Sequence, residues 1–305
     1  MTAKKKTNEI DTSTMVKNPP KKFHHPYDEL LRKYAIPTIY CPGCGIGTTI
    51  QAFLEAITKY TDIPHENIIV ISGIGCTGRA SGYINLDGFH AIHGRAIPFA
   101  SGVEIARPDI KPVIISGDGD LFSIGMGHLA HAARRNIDMT VIVINNSIYG
   151  LTGGQDAPTT PVGALTKTTP YGKISYPFNL SQIAIANGAT FCARYTVYEF
   201  TPLAKAIARG MNHQGFSFIE VISNCHVNFG RRNNLGDAIA MRKQFKKARV
   251  RMTEKDINKD WHKTDIEFKV GVGFTKIPTG IFLEEKERPI EFSERIVNAY
   301  EIKKS

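Results

Sequence analysis

Two short polar segments of this chain carry oxygen atoms of the kind that bind a divalent cation. The first is a Gly-Asp-Gly-Asp turn at residues 117–120, and the second is an Asn-Asn turn at residues 145–146. Oxygens from Asp118, Asn146 and the carbonyl of Ile148 suit Mg²⁺, which is often shared with a phosphate group. Each turn alone is typical of an ordinary strand end. The pair together predicts a site for a diphosphate.

Five cysteines form a second set of chemically active side chains. Cys41 and Cys44 lie on one Pro-Gly turn, so both sulfurs can face the same metal. After this pair, 31 residues lead to Cys76 and a further 148 lead to Cys225, and each follows a predicted strand. Structural zinc sites usually contain two close pairs of ligands, so the single pair here favours a four-iron four-sulfur cluster over zinc. Cys192 lies within a predicted strand and is expected to be a buried apolar side chain.

Alternating strand and helix patterns predict the framework that positions these residues. The runs at 113–116 and 139–144 are short and β-branched, as in parallel strands that are buried on both faces. A helical pattern at 121–134 connects them, and the strand ends then face one edge of the sheet, where such sheets bind ligands. We therefore predict an α/β fold with a mostly parallel sheet and helices on both faces. Further strands are predicted at 67–72, 190–195 and 216–222, and further helices at 27–34, 48–60, 95–107, 179–187 and 201–211.

The segment at residues 73–78 has the G-x-G-x-x-G pattern of dinucleotide-binding turns. That pattern requires a helix directly after it and an acidic residue about 20 residues later, at the end of the next strand. Here residues 82–88 interrupt any long helix, and the next predicted strand begins only near Val113. We interpret the segment as a turn that presents Cys76, and not as a nucleotide site.

The net charge of +10 is concentrated in two outlying segments. Residues 1–24 hold six lysines and two acidic residues, and residues 231–251 hold eight basic residues and one acidic residue. Such segments favour either an acidic protein partner or a solvated charged face. Nucleic-acid binding is the least favoured interpretation, because the chain shows no recognised nucleic-acid-binding module.

The overall composition, with 42% hydrophobic and 22% charged residues, is that of a globular protein. No apolar run approaches the roughly 20 residues of a membrane helix, and the first residues lack the pattern of a signal peptide. We therefore expect no membrane association and a cytoplasmic location, where cysteines serve as thiols or metal ligands. We predict a disordered basic tail at 1–24, a cofactor-binding domain at 25–230, and a basic extension at 231–305. The extension is expected to pack on the core or a partner, with short irregular pieces after Trp261.

Together these motifs resemble those of the β subunits of 2-oxoacid:ferredoxin oxidoreductases, most closely the 2-oxoglutarate type. The Gly-Asp-Gly turn, followed after 25 residues by Asn-Asn, resembles the signature of a thiamine-diphosphate-binding fold. The resemblance covers roughly residues 40–230. The motifs that carry it are Cys41-Pro42-Gly43-Cys44, Gly73-Ile74-Gly75-Cys76, His93-Gly94-Arg95-Ala96, Gly117-Asp118-Gly119-Asp120, Asn145-Asn146, Tyr149-Gly150-Leu151-Thr152 and Cys225.

The resemblance implies three cofactors and a set of residues that bind them. Mg²⁺ is expected on Asp118, Asn146 and the Ile148 carbonyl. The four-iron four-sulfur cluster is expected on Cys41, Cys44, Cys76 and Cys225. The thiamine diphosphate pocket is expected to include Gly43, Cys44, Gly75, Cys76, His93, Gly117, Asp118, Gly119, Asp120, Asn146, Ile148, Gly150, Leu151 and Thr152.

The resemblance also places basic side chains near the substrate. Arg79 stands where relatives carry a cation close to the substrate carboxylate, and a guanidinium suits a bidentate contact with that group. A surface ion pair is the alternative role for Arg79. Arg95 could line the cofactor pocket or have an ordinary structural role. Gly153 stands where some relatives carry a lysine, so a second substrate contact is not assigned.

The implied activity is the conversion of 2-oxoglutarate and coenzyme A to succinyl-CoA and carbon dioxide, with reduction of ferredoxin. The glutamate that assists the thiamine ring is expected on a partner α subunit, in an αβ or (αβ)₂ assembly, so this chain would be incomplete alone. Two alternatives remain open. One is the same chemistry on pyruvate or other 2-oxo acids, and the other is a cluster-binding electron-transfer module without thiamine diphosphate.

Overall fold

A computed structural model describes residues 26–258, 260–285 and 291–302 of the chain. The predicted tail at 1–24 lies outside these residues. The described strands are β1 (Ile68–Ser72), β2 (Asp87–His90), β3 (Lys111–Gly117), β4 (Met139–Asn145), β5 (Phe191–Thr196), β6 (Phe216–Ile222), β7 (Arg249–Arg251), β8 (Glu267–Lys269) and β9 (Gly273–Glu284). The described α-helices are α1 (Gly45–Lys59), α2 (Ala80–Tyr83), α3 (Ala96–Ala106), α4 (Met126–Arg135), α5 (Leu180–Ala186), α6 (Phe200–Asn212), α7 (Ala238–Ala248), α8 (Glu254–Ile257) and α9 (Phe292–Ile302).

The strands form one mixed sheet in the order β2-β1-β3-β4-β6-β5-β9-β7, with β8 paired to β9. Strands β2, β1, β3, β4, β6 and β5 are mutually parallel, and β9 continues the sheet antiparallel to β5. The mostly parallel sheet predicted from the sequence is therefore confirmed. Because the parallel strands share one direction, their carboxyl ends lie along the same edge.

The two faces of the sheet bury separate hydrophobic cores. On β3, Val113 and Ile115 contribute to one core and Ile114 to the other, because successive side chains of a strand point to opposite faces. Helices α1, α6 and α7 cover the first face, and α3, α4 and α5 cover the second. Helix α1 forms here because Ile46, Ile50, Phe53, Leu54 and Ile57 recur at helical spacing and are all buried. The prediction of helices on both faces is confirmed.

A buried ion pair joins β5 to β6 beneath the Asn-Asn turn. Arg194 Nε donates to Glu220 Oε2 at 2.8 Å, and both side chains are almost completely inaccessible to solvent. Asn145 Nδ2 donates to the other carboxylate oxygen of Glu220 at 2.8 Å, and Ser181 Oγ donates to Oε2 at 2.7 Å. Asn145 is therefore a structural residue that holds the end of β4, while Asn146 is left to face the strand-end crevice.

Replacing Arg194 with methionine is expected to destabilise the fold by about 3–5 kcal/mol, because Glu220 would be left buried without its charged partner. The measurement is urea unfolding of the intact protein. The matched control is Arg209→Met, because Arg209 pairs with Glu284 at a solvent-exposed site and should change stability by only about 0–1 kcal/mol. Equal effects of the two substitutions would contradict the structural role assigned to the buried pair.

The structure differs from the sequence predictions in four places. Strand β2 was not predicted, because all four of its side chains are exposed and give no apolar pattern. The predicted helix at 121–134 is preceded by a π-helical turn at Asp120–Ile124, and α4 starts only after it. In place of the predicted helix at 27–34, the chain forms two separate 3₁₀ turns. The expectation of short irregular pieces after Trp261 is wrong for β9, a 12-residue strand that pairs with β5, β7 and β8. It is also wrong for α9, which is a helix of 11 residues.

Candidate functional site

Four strands that are neighbours in the sheet present polar or thiol side chains just beyond their carboxyl ends. The strand order β1-β3-β4-β6 places the turn with Cys76, the turn with Asp118, the turn with Asn146 and the turn with Cys225 side by side. Residues that are far apart in the sequence are therefore collected along one edge. This is the edge at which the sequence predicts a ligand.

Asp118 lies buried at the centre of this edge, with its carboxylate held by the chain's own donors. The backbone N–H groups of Gly119 and Ser147 donate to its two oxygens at 2.9 and 3.1 Å, and the hydroxyl of Thr159 also donates to it. Burial raises the pKa of Asp118 to about 6, although the hydrogen bonds from Thr159 and the backbone oppose that shift. A cation bound here would favour the charged form of the carboxylate.

The turn after β4 carries the other two predicted oxygen ligands, Asn146 and Ile148, and is hydrogen-bonded to Asp118 through the Ser147 N–H. Ser147 adopts a left-handed conformation with φ 61°, and the side-chain oxygen of Asn146 accepts a hydrogen bond from the N–H of Ile148 at 3.3 Å. The Thr160 hydroxyl donates to the Ser147 carbonyl at 2.7 Å and holds the turn from the other side. Asp118, Asn146 and the Ile148 carbonyl therefore lie on two turns that are hydrogen-bonded to each other. This donor set is of the oxygen type that Mg²⁺ requires.

The carboxylate of Asp120, which was predicted to bind the cofactor, is instead engaged in hydrogen bonds with three segments around the site. Its Oδ1 accepts from the N–H groups of Ile74 at 3.1 Å and Gly94 at 2.8 Å and contacts His93 Nδ1, while its Oδ2 accepts from Ser116. A Cβ atom at Gly73 would lie 1.9 Å from Asp120 Oδ2, so only glycine fits at that position. The pairing of Asp120 with His93 gives both a positioning role, and their contact with the cofactor stays a prediction.

The four cysteines predicted as cluster ligands line one cavity next to the Asn-Asn turn. Cys41, Cys44, Cys76 and Cys225 all contribute to its wall, as do Asn146, Gly150 and Leu151. A Cβ atom at Gly150 would lie 3.4 Å from Cys76 Sγ and 3.7 Å from Cys225 Sγ. The loop after β4 therefore lies next to both thiols. The remaining cysteine, Cys192, is fully buried in β5, as predicted.

Comparison with known proteins identifies the family. Residues 73–221 match the model of the thiamine pyrophosphate enzyme C-terminal TPP-binding domain. The chain is 45% identical to the 2-oxoglutarate synthase subunit KorB of Methanothermobacter thermautotrophicus over 225 residues, which are 74% of this chain and 78% of that one. It is 43% identical to the KorB subunit of Methanocaldococcus jannaschii over 268 residues, which are 88% of this chain and 98% of that one. The chain belongs to the KorB family. The resemblance inferred from the sequence motifs is confirmed.

A solved structure agrees with this assignment. The chain superposes on a 2-oxoglutarate:ferredoxin oxidoreductase from Magnetococcus marinus, determined with 2-oxoglutarate, coenzyme A and succinyl-CoA bound, with a TM-score of 0.76. The superposition covers 91% of this chain and 90% of that chain at 29% sequence identity. As a KorB family member, this chain therefore has the predicted thiamine-diphosphate-binding fold.

Three of the four thiols of this KorB family chain are half-buried, and Cys41 is exposed. Burial raises the pKa of Cys44 to about 11 and that of Cys76 to about 12, and neighbouring cysteines add to both shifts. The pKa of Cys225 is raised for the same main reason. Metal ligands bind as thiolates, so uptake of a metal group at this cavity would release protons.

Three residues of the site were not found from the sequence. Thr159 reaches Asp118 from the long loop that follows β4. Tyr40 and His226 line the cysteine cavity, and the Tyr40 hydroxyl and His226 Nδ1 are buried without a hydrogen-bond partner among the described residues. The sequence could have indicated Tyr40 and His226 through their positions, because Tyr40 directly precedes Cys41 and His226 directly follows Cys225.

The predicted substrate contacts lie at the exposed rim of the site. Arg79 ends the single 3₁₀ turn that follows Cys76, and its side chain is exposed. At Gly153, where the resemblance predicts a lysine in some relatives, the ammonium of Lys167 lies 3.8 Å from the place a Cβ atom would occupy. A cation therefore reaches this position from another part of the chain. Arg95, also exposed, has its guanidinium 3.4 Å from the Gly94 carbonyl.

The other predicted pocket residues shape the turns. Gly43 and Gly75 have φ values of 81° and 117°, which favour glycine and set the direction of the turns that carry Cys44 and Cys76. A Cβ atom at Gly119 would lie 2.2 Å from the ring of Tyr149, which packs against this turn. Among the other predicted cofactor-binding residues, Gly117 is half-buried and Leu151 is exposed. The Thr152 hydroxyl donates to the side-chain oxygen of Gln155 at 2.6 Å.

No helix of the described residues is long and apolar enough to cross a membrane.

Proposed function

We propose that this chain is the cofactor-binding subunit of an enzyme that converts 2-oxoglutarate and coenzyme A to succinyl-CoA and carbon dioxide, with ferredoxin as electron acceptor. One observation carries the proposal. The oxygen ligands on Asp118 and Asn146 and the four-cysteine cavity lie beside each other at the ends of four adjacent strands. The match to a thiamine-diphosphate-binding domain and the names of the KorB relatives support the same chemistry.

Thiamine diphosphate would be anchored through its diphosphate group and Mg²⁺. Asp118, Asn146 and the Ile148 carbonyl would hold the cation, and the Thr159 hydroxyl and Ser147 N–H would keep the Asp118 carboxylate oriented. When bound, the cofactor supplies a nucleophilic carbon that allows a 2-oxo acid to lose carbon dioxide. The chain's own contribution is to fix the diphosphate end beside the cysteine cavity, which Gly150 of the same turn also lines.

A four-iron four-sulfur cluster would be ligated by Cys41, Cys44, Cys76 and Cys225. Two features of the cavity fit such a group: all four thiols line it, and two buried polar atoms on its wall have no hydrogen-bond partner among the described residues. A cluster accepts electrons one at a time and can transfer them to ferredoxin. The alternative of an electron-transfer module without thiamine diphosphate is disfavoured by the match at residues 73–221.

A partner subunit would complete the active site in an αβ or (αβ)₂ assembly. The glutamate expected to assist the thiamine ring is not assigned in this chain. The long loop between β4 and α5 exposes Tyr171, Ile174 and Tyr176, whose side chains are 100%, 93% and 88% accessible. Large exposed apolar side chains commonly mark a protein interface, and the same loop supplies Thr159 to Asp118. We assign this loop as a contact with the catalytic partner subunit, in a cytoplasmic enzyme.

The complex of this chain with its partner subunit is expected to reduce ferredoxin or a viologen dye fastest with 2-oxoglutarate. Arg79→Met should lower kcat/KM for 2-oxoglutarate by about 10- to 100-fold, because a hydrogen bond to a charged group contributes about 1.5–3 kcal/mol. The rate with pyruvate, which lacks the second carboxylate, should change much less. The measurement is steady-state kinetics with both substrates.

Arg107→Met is the control, because Arg107 pairs with Asp109 on the exposed surface beyond α3. A preference for pyruvate in the unmodified complex would overturn the substrate assignment. If Arg79→Met left 2-oxoglutarate kinetics intact while Lys167→Met impaired them, the carboxylate contact would belong to Lys167 and not to Arg79.

A further inference from the structure

Two buried polar atoms on the wall of the cysteine cavity have no hydrogen-bond partner within the described part of the chain. They are the hydroxyl of Tyr40 and Nδ1 of His226, and the solvent reaches neither atom. A buried polar group without a partner costs about 1–3 kcal/mol. Two such atoms in one small cavity therefore indicate that something absent from the protein's own side chains accepts their hydrogen bonds.

The surroundings of Tyr40 point to sulfur as that acceptor. Its ring packs edge-on against Tyr83, with the centroids 5.3 Å apart, and this contact fixes its direction. A tyrosine hydroxyl ordinarily titrates at about pH 10, so it is protonated at neutral pH and can donate to a neighbouring sulfur.

His226 enters the same cavity from the turn that follows β6. It begins the π-helical turn at His226–Gly230, in which the Gly230 N–H donates to the carbonyl of Cys225 at 2.9 Å. Turns of this kind are common at functional sites. Both Tyr40 and His226 therefore line the cavity that the four thiols line.

We propose that the Tyr40 hydroxyl and the Nδ1–H of His226 donate hydrogen bonds to sulfur atoms of the four-iron four-sulfur cluster and raise its reduction potential. This inference rests on the proposed cluster site. Hydrogen bonds to the sulfurs are one of the means by which proteins set the potentials of such clusters. Reduction adds negative charge to the sulfurs, so a donor stabilises the reduced form more than the oxidised form, and removing it lowers the potential.

The test is an EPR-monitored redox titration of the complex with its partner subunit, purified anaerobically. Tyr40→Phe removes only the hydroxyl, and His226→Leu removes the imidazole donor. With both changed, the equilibrium constant for reduction should fall about 30-fold, if each neutral hydrogen bond contributes about 1 kcal/mol. At about 59 mV per tenfold for one electron, this lowers the reduction potential by about 87 mV. His226→Asn, which keeps an N–H near the position of Nδ1, should restore most of the histidine contribution.

Iron and sulfide contents separate this inference from the proposed function. If the unmodified complex holds no iron–sulfur cluster, the proposed function fails. If each variant holds a full cluster at an unchanged potential, the cluster site stands and the donor role is wrong, because buried water would then satisfy both groups. If Tyr40→Phe loses its iron, the hydroxyl is needed for assembly and its role in setting the potential is wrong. Tyr34→Phe is the matched control, because its hydroxyl lies on an 82% exposed residue and contacts Arg32.

Discussion

Replacing Asp118 with alanine is expected to weaken the binding of thiamine diphosphate and Mg²⁺ by at least about 100-fold, because even partners in the second shell of a metal site contribute about 10- to 100-fold to affinity. Asp118 is the one carboxylate among the three proposed Mg²⁺ ligands. Its loss would leave the cation with neutral oxygens from Asn146 and Ile148. Oxidative decarboxylation should disappear with the cofactor. The measurement is isothermal titration with thiamine diphosphate in the presence of Mg²⁺.

The same substitution should leave the cysteine cavity intact. Asp118 hydrogen-bonds to Gly119, Ser147 and Thr159, and none of these residues lines that cavity. Iron and sulfide contents should therefore match those of the unmodified protein. Asp118→Asn is the companion variant, since it keeps the shape of the side chain and removes only the charge. A loss of iron in both variants, with the fold intact, would contradict the division into two sites.

Replacing Cys225 with alanine is expected to have the reverse effect. Removing one of four thiolate ligands should abolish a stable four-iron four-sulfur cluster and lower the rate of ferredoxin reduction by at least about 100-fold. Binding of thiamine diphosphate should persist, because the oxygen ligands on the turns after β3 and β4 do not include Cys225. The measurements are iron and sulfide content and the visible absorption of the cluster.

Cys192→Ala provides the matched control for Cys225→Ala. Both are cysteines near the sheet, but Cys192 is fully buried inside β5 and lies away from the cavity. Its substitution should cost some stability through the small void it leaves and should not change the iron content. Full iron content in Cys225→Ala would remove that residue from the ligand set.

Much of the sheet is predictable because its strands are buried on both faces. Strand β6 occupies Phe216–Ile222, the range expected from its apolar run, and β4 extends the predicted run by only one residue. Strand β9 escapes prediction for a local reason, since Pro278 and Gly280 interrupt its pattern, and both residues are usually depleted within strands. It is stabilised by its neighbours β5, β7 and β8, and these long-range pairings leave no local signal in the sequence.

The site is predictable only in part for a similar reason. The spacing of Cys41 and Cys44 and the turns around Asp118 and Asn146 carry their chemistry in a few adjacent residues. The proximity of Cys76 to Cys225 depends on the strand order β1-β3-β4-β6, which the sequence motifs do not specify.

The roles of Asp120 and Tyr40 also require the folded chain. Asp120 is occupied by donors from two distant loops and from Ser116. Tyr40 becomes informative only when its hydroxyl is found buried without a partner. The hydrogen bonds of Asp120 and the burial of the Tyr40 hydroxyl both result from tertiary packing. A local sequence pattern therefore cannot predict them.

The central claim is that one edge of the sheet holds both a thiamine diphosphate site and a four-iron four-sulfur cluster. The most direct measurement is the metal and cofactor content of the complex purified anaerobically with its partner subunit. We expect about four iron and four sulfide on the cysteine cavity of each chain, together with bound thiamine diphosphate and Mg²⁺. Zinc without sulfide, or iron and sulfide in a complex that cannot bind thiamine diphosphate, would contradict the account.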